Sequence, residues 1–217
     1  MRTKEQIADE LTRLEEANYY SEDFEWLSSV RAYRDSLCPE EQNLLAEIVA
    51  SRLLREGSMT DVLMCSIIHV PSAGSVLAAK LDREVVPSQL TRALITALQH
   101  YRGDDVFRAV ARFVDSDQEN EALRALAKID FHRALPYIAR AARVEHQRDL
   151  VLHILHDRFK ERGRLQELAL ELRAFAAGWQ DPDFLGSIVR LLRCKPELYN
   201  PFREEEICFL ESELLSS

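Results

Sequence analysis

Residues 106–114 read V-F-R-A-V-A-R-F-V and residues 134–142 read A-L-P-Y-I-A-R-A-A. Set one above the other, Ala111-Arg112 falls on Ala139-Arg140, an offset of 28. The same offset carries Leu123 onto Val151, Leu126 onto Ile154, Ala127 onto Leu155 and Phe131 onto Phe159. Towards the N-terminus, R-A-L-I-T-A-L (92–98) matches E-A-L-R-A-L-A (121–127) at an offset of 29. Every one of these stretches spaces its apolar residues by three and four, as one buried face of a helix requires. Two helices per unit of about thirty residues, repeated side by side, is the pattern of an α-solenoid.

The helical spacing continues outward in both directions. Ile7, Leu11 and Leu14 share a face near the N-terminus, and Ser21 is placed to cap a helix carrying Phe24, Leu27, Val30 and Leu37. Pro39 suits the first turn of a helix with Leu45, Ile48, Val49 and Leu53 that stops at Gly57. Ser58 opens a short apolar helix through Ile67, which Pro71 ends, and Val76, Leu77 and Leu81 follow a loose P-S-A-G-S segment. Pro87-Ser88 begins the helix of Leu90, Leu94 and Leu98, and Asp104 or Asp105 caps the next. Further helices are expected over about 118–129, 131–143, 146–162 and 164–177, with Asp181-Pro182 and Asn200-Pro201 as cap-then-proline starts. No convincing strand is read anywhere.

A-L-P-Y-I-A-R-A-A followed by R-D-L-V-L-H-I-L resembles a HEAT repeat, as does F-R-A-V-A-R-F-V-D-S-D-Q-E-N-E-A-L-R-A-L-A-K-I. The resemblance is clearest over 104–160 and plausible for 74–103, and Pro136 fits the proline that kinks the first helix in that family. It implies an all-α, right-handed solenoid (superhelix) of about a dozen helices in one domain over 1–217. In that scheme 1–72 form an N-terminal helical cap, 73–200 the repeats and 201–217 a C-terminal capping helix. It also implies that the second helix of each pair lines a concave binding face.

By the repeat offsets that face presents Arg92, Thr96 and Gln99, then Glu121, Ala125 and Lys128, then Asp149, His153 and His156. If Leu150, Val151, Ile154, Leu155 and Phe159 are buried, then His146, Asp149, His153 and His156 fall on the opposite, polar ridge, with Asp157 at its edge. A solvated helix face is the plainest account of this ridge. A divalent-metal site is the sharper one, because Asp149 and His153 at i, i+4 can reach one ion. The His156-Asp157 doublet also resembles that of HD-domain phosphohydrolases, with His132 and Asp181 as conceivable further ligands. The repeat register explains the segment without them, and no metal ligand set is assigned. HEAT-like hydroxylases bind iron through His-Glu doublets, and no such pair occurs here.

Arg108 and Arg112 share a face of one first helix, and Arg133, Arg140 and Arg143 share a face of the next. A solvated face with ion pairs within each helix accounts for them, and an anion-binding strip for an acidic protein or a phosphate backbone is the alternative. HEAT-like DNA glycosylases grip DNA with such basic surfaces, but those proteins are basic overall. Here the net charge is −9, although residues 124–164 carry ten Lys/Arg against five Asp/Glu. Trp26 and Trp179 flank that block and do not interleave with it.

Phosphate-loop, dinucleotide, serine-hydrolase and zinc-protease templates are all missing. Glu204-Glu205-Glu206 is read as a helix first turn favoured by the macrodipole. Four dispersed cysteines, Cys38, Cys65, Cys194 and Cys208, read as buried free thiols of a reducing cytosol. No apolar run is long enough for a membrane span or a secretory leader. The expectation is therefore a cytoplasmic, non-enzymatic protein-binding module (scaffold, adaptor or inhibitor of the immunity type) that takes another protein as partner and needs no cofactor or membrane. A nucleic-acid-binding protein of the glycosylase kind and a metal-dependent protein using residues 146–157 are the alternatives.

Overall fold

The computed structural model describes residues 1–18, 25–55, 57–82, 88–179, 183–193 and 200–215. All regular elements among them are helical: α1 (Lys4–Asn18), α2 (Glu25–Ser36), α3 (Pro39–Arg55), α4 (Met59–Met64), α5 (Ala73–Leu81), α6 (Ser88–Leu98), α7 (Asp104–Ala111), α8 (Glu119–Ile129), α9 (Phe131–Ala141), α10 (Arg148–Arg162), α11 (Leu165–Gly178), α12 (Phe184–Arg193) and α13 (Glu204–Leu215). The all-α class expected from apolar spacing is the one observed. Ser21, Phe24, Pro87, Asp181, Pro182 and Cys194 lie outside the described residues.

The helix ends follow local chemistry. Pro39 opens α3, where its missing N–H costs nothing. Ser58 and Asp61 form a reciprocal capping box at α4, and Asp61 also accepts a 2.9 Å bond from Arg52 Nε. Helix α4 stops at Met64, short of the expected Ile67, and the chain continues in turns. Gly103 is the N-cap of α7, so Asp104 and Asp105 fall in its first turn and not at the cap position. Gly163, at φ 72°, closes α10 in the left-handed conformation that glycine adopts without strain. At the C-terminal end the helix starts at Glu204 and not at Pro201. Asn200 Oδ1 accepts from the Phe202 amide at 3.0 Å and turns the chain first. Glu206 then reaches back to the Arg203 amide at 2.8 Å.

Packing divides the chain into two compact units, Met1–Ile129 and Asp130–Ser217. The division falls within the 73–200 stretch that the sequence assigns to one run of repeats.

In the first unit the helices pack in pairs: α1 with α2, α3 with α4, α5 with α6 and α7 with α8. Odd helices also pack on odd ones (α1 on α3, α3 on α5, α5 on α7), and even helices on even ones (α2 on α4, α4 on α6, α6 on α8). The core between the two rows holds Ile7, Leu11, Leu45, Val49, Leu77, Leu94, Leu98, Leu123 and Leu126, all buried. Each such side chain contributes about 1.5–3 kcal/mol relative to exposure. Gly74 brings α5 close to Tyr101, since a Cβ there would lie 3.1 Å from the Tyr101 Cβ.

In the second unit α9 packs on α10, α11 and α12, while α13 packs on α11 and α12. Pro136 lies inside α9 without ending it. Helix α10 is covered by α9, α11 and α12, and it buries Leu150, Val151, Leu152, Ile154 and Leu155. Leu152 widens the apolar arc beyond the stripe read from sequence and leaves a narrower polar strip. Arg158 and Glu171 tie α10 to α11 by two hydrogen bonds of 2.9 and 2.7 Å, and the Arg158 guanidinium lies 4.8 Å from the Phe131 ring centroid.

Candidate binding groove

Helices α2, α4 and α6, three members of the even row, leave a cavity of about 560 Å³. Leu27, Met59, Leu63 and Ala93 give it an apolar lining, with Ser66, Gln89, Arg92 and Thr96 as its polar members. Met59 is 41% exposed, while Leu63 and Ala93 are buried. The volume falls in the range of sites that bury a ligand or an anchoring side chain. Leu27 and Met59 belong to the stretch expected to serve only as a cap. Nothing local marks them, because the groove forms only once α2 and α4 join α6 in one row.

Arg92, one of the residues singled out from sequence, is on the lining. Its Nη2 lies 2.8 Å from Glu121 Oε1, across the α6–α8 contact. The sequence offset of 29 gives these two residues equivalent places in adjacent helices, and the structure joins them as a rung. Arg92 is two-thirds exposed, so the pair contributes well under 1 kcal/mol. Two turns further along, Gln99 contacts His100 at 3.3 Å and Lys128 accepts a hydrogen bond at its carbonyl from Arg102. Burial, followed by the charges of Lys128 and Arg102, pushes the His100 ring below its ordinary pKa. Ala125, expected on the polar ridge, is buried in the core.

The arginines of α7 are engaged within the first unit. Arg108 Nε donates to the Asp104 carbonyl at 3.2 Å, and Arg112 pairs with Asp82 at 2.6 Å. Both remain exposed on the odd row.

The remaining sequence candidates belong to the second unit. Asp149, His153 and His156 are all partly exposed on α10. His146 lies in a 3-10 turn, Glu145–Gln147, ahead of the helix, so the four-residue ridge expected over 146–156 is reduced to three. His156 packs edge-on against Phe202 at 5.1 Å and tilted against Phe159 at 6.0 Å. Burial lowers its pKa and Lys160 adds to the effect, against the opposing carboxylates of Glu206 and Asp157. His132 lies 3.8 Å from Glu171. Among the described residues no three His, Cys, Asp or Glu side chains come together as a metal site. Arg140 is exposed near the end of α9. Arg143, just beyond it, lines a cavity of about 410 Å³ with Ala142, Arg148, Ser187, Arg190 and Leu191. Arg148 and Arg190 were not singled out from sequence. Arg148 follows Arg143 by five residues, and the packing of α12 against α9 and α10 brings Arg190 to them.

No family model matches the chain, and no curated protein or solved structure matches it either.

Proposed function

We propose that this chain is a protein-binding module, built as a HEAT-like α-solenoid, that captures a partner in the groove of its even-numbered helices. The observation that carries the reading is that groove, lined by four apolar and four polar residues of the even-numbered helices and their flanking turn. The odd-on-odd and even-on-even packing of the first unit supports the solenoid reading, and so does the Arg92–Glu121 rung at the repeat offset.

The partner in this reading is a protein that offers a large apolar side chain flanked by basic residues. The apolar side chain fits between Leu27, Leu63 and Ala93. The basic flanks answer the 22 Asp/Glu against 15 Lys/Arg carried by residues 1–129. An inhibitor or immunity-type role is the biological form that best suits an acidic binder of a basic partner.

The test is affinity capture from host lysate with three forms of the full chain: wild type, Met59→Glu with Thr96→Glu, and Leu170→Glu. Leu170 is 55% exposed on α11, in the other unit. The reading expects a partner that is retained by wild type and Leu170→Glu, is lost with the groove double variant, and elutes as salt rises. Retention of the same proteins by all three forms, with helicity unchanged, removes the groove as the binding site.

A further inference from the structure

The second unit holds a cavity whose chemistry no part of the proposed function uses. Three arginines line it from three different segments: Arg143 beyond the end of α9, Arg148 at the start of α10 and Arg190 on α12. Among the described residues that line it, none is a carboxylate. The Ser187 hydroxyl, on a residue only 8% exposed, accepts from Arg190 Nη2 at 3.1 Å and donates to Asp183 Oδ2 at 3.4 Å. Asp183 also forms an ion pair with Arg190. Hydrogen bonding from Arg190 and its charge, then the Ser187 bond and last the field of Arg143, hold the Asp183 carboxyl below the ordinary carboxylate range against the effect of burial. The remaining lining, Ala142 and Leu191, is apolar and buried.

We propose that this cavity binds a phosphate monoester, with the Asp183 carboxylate as the resident anion that the phosphate displaces from Arg190. Guanidinium groups bind phosphate oxygens in pairs, and a phosphate dianion offers three such oxygens where a carboxylate offers two. A volume of about 410 Å³ is larger than a phosphate group alone needs, so the organic part of the ester lies along Ala142 and Leu191. Asp183 is 61% exposed on its side chain and sits just before α12, where a carboxylate can leave Arg190 for solvent at little cost. The site is independent of the groove in the first unit, and each stands or falls alone.

Titration calorimetry on the full chain, at low ionic strength, tests the assignment with O-phosphoserine and inorganic phosphate as probes. Saturable binding of phosphoserine is expected, stronger than that of inorganic phosphate. Arg143→Gln should weaken it about tenfold, the effect of one lost charge-assisted contact. Asp183→Asn removes the competing anion and keeps an equally good helix cap, so it should tighten binding severalfold. Arg112→Gln, in the first unit, should leave it unchanged. A phosphoserine-containing peptide binding more tightly than phosphoserine assigns the site to a phosphorylated protein, and equal binding assigns it to a free phosphomonoester. Either outcome supports the site. Lack of saturable binding, indifference to both Arg143→Gln and Asp183→Asn, or Arg143-dependent binding of duplex DNA in preference to either monoester overturns it.

Discussion

Replacing Glu171 by Gln tests the polar centre of the second unit. The Glu171 carboxylate accepts from Arg158 at 2.9 and 2.7 Å and from Arg162 at 2.6 Å. The side chains of Arg158 and Glu171 are only 15% and 12% exposed, so screening removes little of the interaction. Glutamine keeps the shape, removes the charge and leaves Arg158 with at most one good acceptor on that residue. The expected loss is about 2–3 kcal/mol, the range for charge-assisted bonds to a largely buried partner. For a chain of this size it lowers the thermal midpoint by roughly 4–12 °C. Burial alone would raise the Glu171 pKa, but the bonds and charges of Arg158 and Arg162 outweigh it and hold the carboxyl below its ordinary value. A carboxylate depressed on folding adds stability above its unfolded pKa, near 4.5, and loses it as pH falls through the folded value. Calorimetric or urea unfolding of both forms at pH 7 and near pH 3 should therefore show a gap that is full at neutral pH and shrinks in acid. A gap of the same size at both pH values refutes the ion-pair account and leaves only packing.

Two further outcomes follow from other parts of the molecule. The His156 ring is held below its ordinary pKa, so the unfolded chain takes up its proton more readily, and stability at this site falls as pH drops below about 6.5. Protection factors of the α13 amides, whose Glu206 and preceding Phe202 face that ring, should fall between pH 7.5 and 5.5 in wild type once exchange is normalised to its intrinsic rate at each pH, and His156→Phe should flatten the dependence. Burial pushes the Cys65 thiol up to about 12 while Cys208 is exposed, so maleimide at pH 7.5 should modify Cys208 at once and Cys65 only on unfolding; rapid labelling of Cys65 in peptide mapping would contradict its burial beside Tyr101.

Most of the helices were legible because their ends are chemical as well as periodic: Pro39 and Ser58 each start a helix within a residue of where the sequence places it, and the break expected between 162 and 164 falls at Gly163. The errors lie at ends where two polar residues compete. Gly103 takes the cap position from Asp104 and Asp105, and Asn200 makes a turn before the helix in place of a cap on it. Of the candidate residues, Arg92 and Glu121, placed at equivalent positions by the offset of 29, come together as an ion pair. The groove needs Leu27 and Met59, which belong to no visible repeat, and the arginine cavity needs Arg190, more than forty residues from Arg143 and Arg148. Long-range convergence leaves no local trace in composition or spacing.

The sequence match between α6 and α8 has a steric basis. At the offset of 29, Ala93 corresponds to Ala122, Leu94 to Leu123 and Ala97 to Leu126, and all six are buried. A small residue beside a leucine lets α6 and α8 approach closely while each fills the space the other leaves. The charged rung above them, Arg92 with Glu121, is too exposed to set that register, which the apolar contacts beneath it fix. The register in turn decides which polar side chains reach the groove. Arg92 and Thr96 line it because Leu94 and Ala97 on the same helix are committed to the core, so a change at Leu94 that displaces α6 alters the groove without touching any residue that lines it.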